Sequence, residues 1–337
     1  MIALRPARIA LLPALLLLGA VPSVPQPQRY DGFNVIAVPE HPFGSEISKR
    51  SLRQAKRLGA TALAVVPFLW QPAPASPAIG RGNDMSDAAL GTAIREVRAL
   101  GLAVVVKPHV WVPESWAGAV EPSSEDDWRV WFANYRDALL HIAAIAAAEK
   151  ADALAIGTEL RKTSHRPEWI ELIAAVRAAF PHTLFYTAHN IEEAESIPFW
   201  KDLDAIGVSL YPPLGADDDR AGRLKVMRMV AERLDALAAK TGKPVVVGEI
   251  GLRSAEGAAA KPWESAEERV APADPVLQAE VLADWLGVLN RPSVRGVLVW
   301  RWLTDANAGG LADTDFTVQG KPAMGVLFCA WTARCAK

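Results

Sequence analysis

Cysteine is scarce in this chain, which has only two, Cys329 and Cys335, among 337 residues. Neither CxxC nor HExxH occurs, so a zinc site built on those spacings has no support. We therefore predict no metal and no cofactor. The pairing of the two cysteines stays open. An unbroken helix would point positions six apart to different faces, so a disulfide needs the last helical turn to fray.

An excess of basic charge is also absent. The chain has 36 Lys and Arg against 38 Asp and Glu, which gives a formal net charge of −2. Nucleic-acid-binding domains usually carry a basic surface, so we expect no nucleic-acid partner. Hydrophobic residues make up 51% of the chain, enough for a sizeable core. Nothing in the sequence demands an oligomer, and we expect a monomer.

Long apolar runs are missing except at the N-terminus. Arg5 and Arg8 precede an apolar stretch at 9–20, and small residues and prolines follow it. This is the layout of a secretory signal peptide, and the stretch is too short for a comfortable membrane span. We predict a signal peptide at 1–28, cleaved between residues 20 and 28, no stable membrane anchor, and a secreted or periplasmic protein. An uncleaved anchor is the alternative.

Eight short apolar runs alternate with longer helical patterns through the rest of the chain. Most are continuously apolar, as expected for parallel strands covered on both faces. Eight β-then-α units predict an α/β fold, a (β/α)8 TIM barrel forming one domain at 29–337. A doubly wound open sheet is the rival, but the first turn lacks its GxGxxG signature. The predicted strands are 33–38, 62–67, 103–109, 153–157, 184–187, 205–210, 244–248 and 296–302.

Two of these runs lead through a small residue to a glutamate. "ADALAIGTEL" (151–160) presents Glu159 after the fourth strand, and "KPVVVGEIG" (243–251) presents Glu249 after the seventh. The carboxyl ends of barrel strands build the active site, and these two strands lie on opposite sides of the ring. Paired carboxylates suit glycosidic cleavage, because one protonates the leaving oxygen and the other attacks the anomeric carbon. A salt bridge to a rim Arg or Lys is the structural alternative for each.

The other strand ends supply polar and aromatic side chains. The chain has 12 Trp, and many lie near strand ends, where their rings can stack on flat ligands. His109 could instead be a core histidine, and Asn190 could cap the following helix. Trp70 could only pack under a Pro-rich loop, and Lys107 is expected to pair with an acid in the barrel mouth. The candidate substrate-binding residues are Trp70, His109, Trp111, Asn190, Tyr211, Trp300 and Trp302.

This arrangement resembles the clan of retaining glycoside hydrolases built on (β/α)8 barrels. Most of its families carry Asn-Glu at the fourth strand, whereas this chain has Thr158-Glu159. That departure resembles glycoside hydrolase family 113, known for β-mannanases. The likeness extends to "KPHVWV" (107–112), "DAIGVSLYPPL" (204–214), "KPVVVGEIGLRS" (243–254) and "VLVWRW" (297–302).

The resemblance implies roles for individual residues. Glu159 would be the acid/base, Glu249 the nucleophile and Tyr211 a hydrogen-bond donor to the nucleophile. Trp300 would form a sugar platform, and the region of His109 and Trp111 would line the cleft. The implied activity is a retaining β-glycoside hydrolase acting by double displacement on a β-linked polysaccharide or oligosaccharide, with β-1,4-mannan favoured. The loops after Tyr211 and Glu249 do not align with the family, so the exact sugar stays open.

Two other functions remain as alternatives. A non-catalytic carbohydrate-binding protein on the same barrel would bind sugar and cleave nothing. A metal-dependent barrel hydrolase would gather several His at strand ends, but the chain has only six His and no HxH pair after the first strand.

Overall fold

A closed barrel of eight parallel strands organises the chain. The computed structural model describes residues 29–335, and the signal peptide predicted at 1–28 lies outside them. Each strand pairs with its neighbours in chain order, and the last pairs with the first, which confirms the (β/α)8 barrel and excludes an open sheet. The strands are β1 (Gly32–Ile36), β2 (Ala62–Val65), β3 (Ala103–Val106), β4 (Ala153–Thr158), β5 (Thr183–His189), β6 (Ala205–Leu210), β7 (Val245–Ile250) and β8 (Val294–Leu303).

Helices connect the strands and pack outside the barrel. Three begin at a serine, Ser45, Ser86 or Ser124, whose side chain accepts a hydrogen bond from a backbone N–H of the first turn. In residues 29–335, none of them is long and apolar enough to cross a bilayer. The helices are α1 (Glu46–Arg57), α2 (Asp87–Ala99), α3 (Glu125–Ala148), α4 (Glu168–Ala179), α5 (Asn190–Ser196), α6 (Arg220–Thr241), α7 (Pro275–Val288) and α8 (Ala323–Thr332).

The apolar core has two parts, one on each side of the barrel wall. A large cluster fills the space between strands and helices, and a smaller one fills the barrel interior. The interior cluster is rich in alanine, for example Ala64 and Ala155, with Tyr30 and Phe185 as its largest side chains. A narrow ring of eight strands leaves room only for such small residues around a few large ones.

A second, three-stranded sheet extends from the barrel mouth. We call it the rim sheet: Phe68–Trp70 pairs in parallel with His109–Trp111 and antiparallel with Gly80–Arg81. The strand predicted at 103–109 is therefore interrupted. Pro108, which has no N–H for a strand ladder, separates its barrel and rim parts. The rim sheet places Trp70 directly opposite Trp111.

Trp302 does not reach the rim, so its predicted role as a substrate-binding residue is corrected here. Its side chain is fully buried, its Nε1 donates to the Ser51 hydroxyl at 2.7 Å, and its ring lies 4.6 Å from that of Phe33. The pairing of β8 with β1 shifts register between Phe33 and Val35, so simple alternation fails between Trp300 and Trp302. Trp302 therefore packs between the barrel wall and α1.

Two ends of helices differ from the sequence pattern for physical reasons. Helix α5 stops at Ser196, because Pro198 disfavours helical backbone in the residue before it. The last helix ends at Thr332, and Ala333 then adopts a left-handed conformation with φ of 54°. This turn brings Cys335 back to Cys329, and the two form a disulfide with a Cα–Cα distance of 5.1 Å.

We expect Trp302→Ala to lower the free energy of unfolding by about 3–5 kcal/mol, the usual cost of removing a large buried aromatic side chain. Trp111→Ala is the matched control. Its ring is 50% exposed, and its loss should change stability by less than about 1 kcal/mol. Urea unfolding followed by circular dichroism measures both. Equal losses in the two variants would contradict the burial of Trp302.

Candidate active site

A glycine before each of the two glutamates explains the shared sequence motif. A Cβ at Gly157 would lie 2.9 Å from the Tyr186 ring, and one at Gly248 would lie 2.8 Å from the Thr187 methyl group. Both contacts are too close for any side chain, and both partners belong to β5. The glycines thus let β5 side chains pack against β4 and β7 just below the barrel mouth.

Glu249 is buried at the end of β7 with a partner for each carboxylate oxygen. Its Oε1 accepts a hydrogen bond from Nζ of Lys107, which is fully buried, and its Oε2 accepts one from the Tyr211 hydroxyl at 3.0 Å. A buried charge is tolerated when it is both paired and hydrogen-bonded. The predicted pairing of Lys107 with an acid is confirmed.

Tyr211 remains a proton donor in this setting. Burial, together with the charges of Glu249 and Glu159, raises the pKa of its hydroxyl well above the ordinary value. The hydroxyl therefore stays protonated and donates to Glu249. Its backbone is fixed as well, because its N–H donates to Oδ1 of Asn190 at 2.7 Å.

Glu159 lies just beyond β4 in a strained conformation. Its φ is 55°, a left-handed value that costs a non-glycine residue roughly 1–2 kcal/mol. Its N–H donates to the Thr187 carbonyl at 2.7 Å, which anchors the turn to β5. Strain of this kind clusters at functional sites, where the surrounding structure holds it in place.

The carboxyl of Glu159 faces the imidazole of His189. Oε1 lies 3.4 Å from Nδ1, an ion-pair distance too long for a strong hydrogen bond. Within residues 29–335, neither atom has a hydrogen-bond partner. The two atoms therefore face each other, and no other group of the scaffold occupies them.

Glu159 and His189 shift each other's titration. Burial raises the pKa of Glu159, but His189, with His109 and Lys107, outweighs burial and holds that pKa below its ordinary value. Burial lowers the pKa of His189, but the carboxyl of Glu159 outweighs it and holds that pKa above the ordinary value. The two groups hold a proton between them and titrate as a unit. Because Lys107 also pairs with Glu249, one buried cation acts on both acids, which places them in a common cleft.

Asn190 and Glu193 both contact His189. Asn190 does not cap the following helix. Its Oδ1 binds the Tyr211 N–H, and its Nδ2 lies 3.1 Å from Nε2 of His189. Glu193, which the sequence analysis missed, accepts hydrogen bonds from the His189 N–H at 2.6 Å and the Tyr186 hydroxyl at 2.8 Å. Burial raises the pKa of Glu193 to about 7.

Aromatic rings surround the two acids. The Trp300 ring lies 5.5 Å from Nζ of Lys107 and 6.1 Å from the ring of His109. Burial lowers the pKa of His109, which favours its neutral form. Farther out, Trp70 and Trp111 lie 6.1 Å apart with 42% and 50% of their surfaces exposed. Rings this exposed present faces on which a flat ligand can stack.

Two exposed tryptophans at the carboxyl end of the barrel were not predicted. Trp116 packs 4.7 Å from the ring of His189 and is 39% exposed. Trp263 lies in the loop after β7 and is 46% exposed. Both lie in loops after barrel strands, and only that position could have indicated them.

The loops that follow β6 and β7 are tied together by side chains. Asp217 accepts hydrogen bonds from the N–H groups of Gly257 and Ala259. Arg253 is fully buried and donates to the carbonyls of Ser265 and Arg269. These contacts link the two loops and fold the second one back on itself.

The structure brings most of the predicted residues together at the barrel mouth. In the part of the chain that the structure describes, no group of three or more His, Cys, Asp or Glu side chains is arranged to hold a metal ion. The predicted residues gathered around the acids are Glu159, Glu249, His109, Asn190, Tyr211 and Trp300, while Trp70 and Trp111 lie on the rim sheet.

Comparison with known proteins gives a family match. The model of Glycoside Hydrolase Family 113 matches residues 35–321. Among curated proteins, none matches this sequence.

Several solved structures share the fold. A GH113 β-mannanase from Alicyclobacillus acidocaldarius superposes with a TM-score of 0.81 at 23% identity, covering 90% of this chain and 97% of that one. A GH113 β-1,4-mannanase gives 0.81 at 24% identity, covering 91% and 100%. A β-glucuronidase from Ruminococcus gnavus gives 0.59 at 14% identity, covering 90% of this chain and 50% of that one.

We expect Lys107→Met to destabilise the fold by about 3–5 kcal/mol, because Glu249 would remain as a buried carboxylate without its cation. The double variant Lys107→Met/Glu249→Gln should recover most of this loss, since no charge is then left unpaired. Urea unfolding at neutral pH measures both variants. If the double variant were as unstable as the single one, the charge of Glu249 would not be the cause.

Proposed function

Because the chain belongs to glycoside hydrolase family 113, we propose that it cleaves β-linked polysaccharides or oligosaccharides by double displacement with retention, and that β-1,4-mannan is its preferred substrate. One observation carries the proposal: the two acids have opposite environments. Glu249 is paired with a cation and a hydroxyl, whereas Glu159 shares a proton with a histidine. Such a division is what a nucleophile and an acid/base require.

In the first step, Glu249 attacks the anomeric carbon and Glu159 protonates the departing glycosidic oxygen. The bond from the anomeric carbon to that oxygen breaks as the ester bond to Glu249 forms. Lys107 and Tyr211 hold the attacking carboxyl in place, one on each of its oxygens. The proton comes from the Glu159–His189 pair, whose facing atoms have no other hydrogen-bond partner within residues 29–335.

In the second step, a water molecule attacks the anomeric carbon and the ester bond to Glu249 breaks. Glu159 takes the proton of the water and so returns to its starting state. Formation of the ester has removed the negative charge of Glu249, which favours ionisation of Glu159 at the moment when a base is needed. Two inversions at one carbon leave its configuration unchanged.

The preference for mannan is supported by the family and by the shape of the rim. Two of the similar structures are β-mannanases by name. Trp70 and Trp111 extend the aromatic surface beyond the two acids, as a chain of several sugar units would need. Neutral sugars stack on such rings through their apolar faces.

We also propose export of this enzyme to the periplasm or the medium, on the basis of Arg5, Arg8 and the apolar stretch at 9–20. Expression of the full chain should yield a mature protein that begins between residues 21 and 29. N-terminal sequencing of each cell fraction measures this. Recovery of an intact N-terminus in the cytoplasm alone would contradict export.

The central test is hydrolysis of a polysaccharide panel by the wild type and by Glu249→Ala. We expect the wild type to release reducing ends from β-1,4-mannan, with β-configured product formed first. Glu249→Ala should lose at least about 10³-fold in kcat/KM, because no nucleophile remains. Glu256→Ala, an exposed glutamate in the same loop, is the matched control and should retain full activity.

Three results would overturn parts of this proposal. Near wild-type turnover by Glu249→Ala would remove the assignment of the nucleophile. First release of the α-anomer would exclude retention. Sugar binding by the wild type without cleavage of any substrate would favour a non-catalytic carbohydrate-binding protein.

A further inference from the structure

Glu193 is a buried carboxyl that the double displacement does not use. It lies in the first turns of α5, directly after β5, and only 3% of its surface is exposed. Its Oε2 accepts the His189 N–H and its Oε1 accepts the Tyr186 hydroxyl. No Lys or Arg of residues 29–335 forms a salt bridge with it, unlike its neighbour Glu192, which pairs with Arg233 on the surface.

Glu193 reaches the acid/base by two routes. The first runs through His189, whose backbone binds Glu193 while its ring faces Glu159 at 3.4 Å. The second runs through Tyr186, whose hydroxyl is also hydrogen-bonded by the backbone of Leu160, the residue after Glu159. Glu193 is thereby linked to the carboxyl of Glu159 through His189 and to the backbone of the next residue through Tyr186.

We propose that Glu193 is a positioning residue that fixes this turn and that its negative charge sets the pH at which the Glu159–His189 pair loses its shared proton. This inference rests on the proposed function and deepens it. Charges on a carboxyl with no cationic partner act strongly on neighbours in a buried site.

The direction of the effect follows from the charges that face the pair. The charge of Glu193 raises the pKa of His189, and Glu193 and Glu159 each disfavour ionisation of the other. Both effects hold the proton on the pair. The other titratable or charged groups facing this cluster are Tyr135 of α3, Arg161 after β4, Lys107 and His109 after β3, and Tyr211 after β6.

Glu193→Gln removes the charge and keeps a side chain of the same shape. We expect the midpoint of the His189 imidazole titration to fall by about one pH unit in this variant. NMR of the full enzyme without substrate measures it, with the His189 signal assigned from the spectrum of His189→Ala. The alkaline limb of kcat/KM against pH should move in the same direction.

Glu192→Gln is the matched control, because it removes an exposed carboxyl from the adjacent position of α5. It should leave both the titration and the pH profile unchanged. If Glu193→Gln does not fold, Tyr186→Phe replaces it. That variant removes a hydrogen bond that favours ionised Glu193, so the His189 midpoint should again fall.

Coincident His189 midpoints in Glu193→Gln and Glu192→Gln would overturn the inference. A drop in kcat at every pH with an unmoved alkaline limb would reduce Glu193 to a structural role and overturn it too. The NMR measurement needs no substrate. It therefore decides the inference even if the wild type proves to hydrolyse no glycoside, which would refute the proposed function separately.

Discussion

The carboxylate of Glu249 lies in a buried barrel mouth, where an ion costs several kcal/mol unless an opposite charge faces it. Lys107 provides that charge from the far side of the ring, since it follows β3 whereas Glu249 belongs to β7. The pair can form only if the barrel is closed and both strands end at the same height. Tyr211 and Trp300 contact the two members of this pair, so the centre of the site depends on it.

The second acid is held by a different principle. Glu159 has a histidine in place of a lysine, and a histidine exchanges protons near neutral pH while a lysine does not. Next to it, Glu193 forms no salt bridge with a Lys or Arg of the described residues, and burial raises its pKa to about 7. The barrel thus pairs one acid with a buried lysine and surrounds the other with groups that titrate together.

The fold was predictable because parallel strands covered on both faces read as apolar runs, and eight of them occur in order. The two acids were predictable because each follows a strand directly. The burial of Trp302 was not, because its position near a strand end indicated the cleft and the sequence does not reveal the register shift between β8 and β1. Glu193 was not, because nothing in the sequence indicates that a glutamate among other acids in α5 turns inward to Tyr186 and His189.

The rim sheet and the loops on the opposite side of the mouth are built by different means. Asp217 and Arg253 hold the loops after β6 and β7 through side chains, so residues between those contacts can be inserted without moving the anchors. Trp70 and Trp111 are instead paired through a backbone ladder. A single inserted residue there would slip the register and turn one indole to the other face of the sheet. Variation among related chains should therefore accumulate beside β6 and β7, while the spacing of the two indoles stays constant.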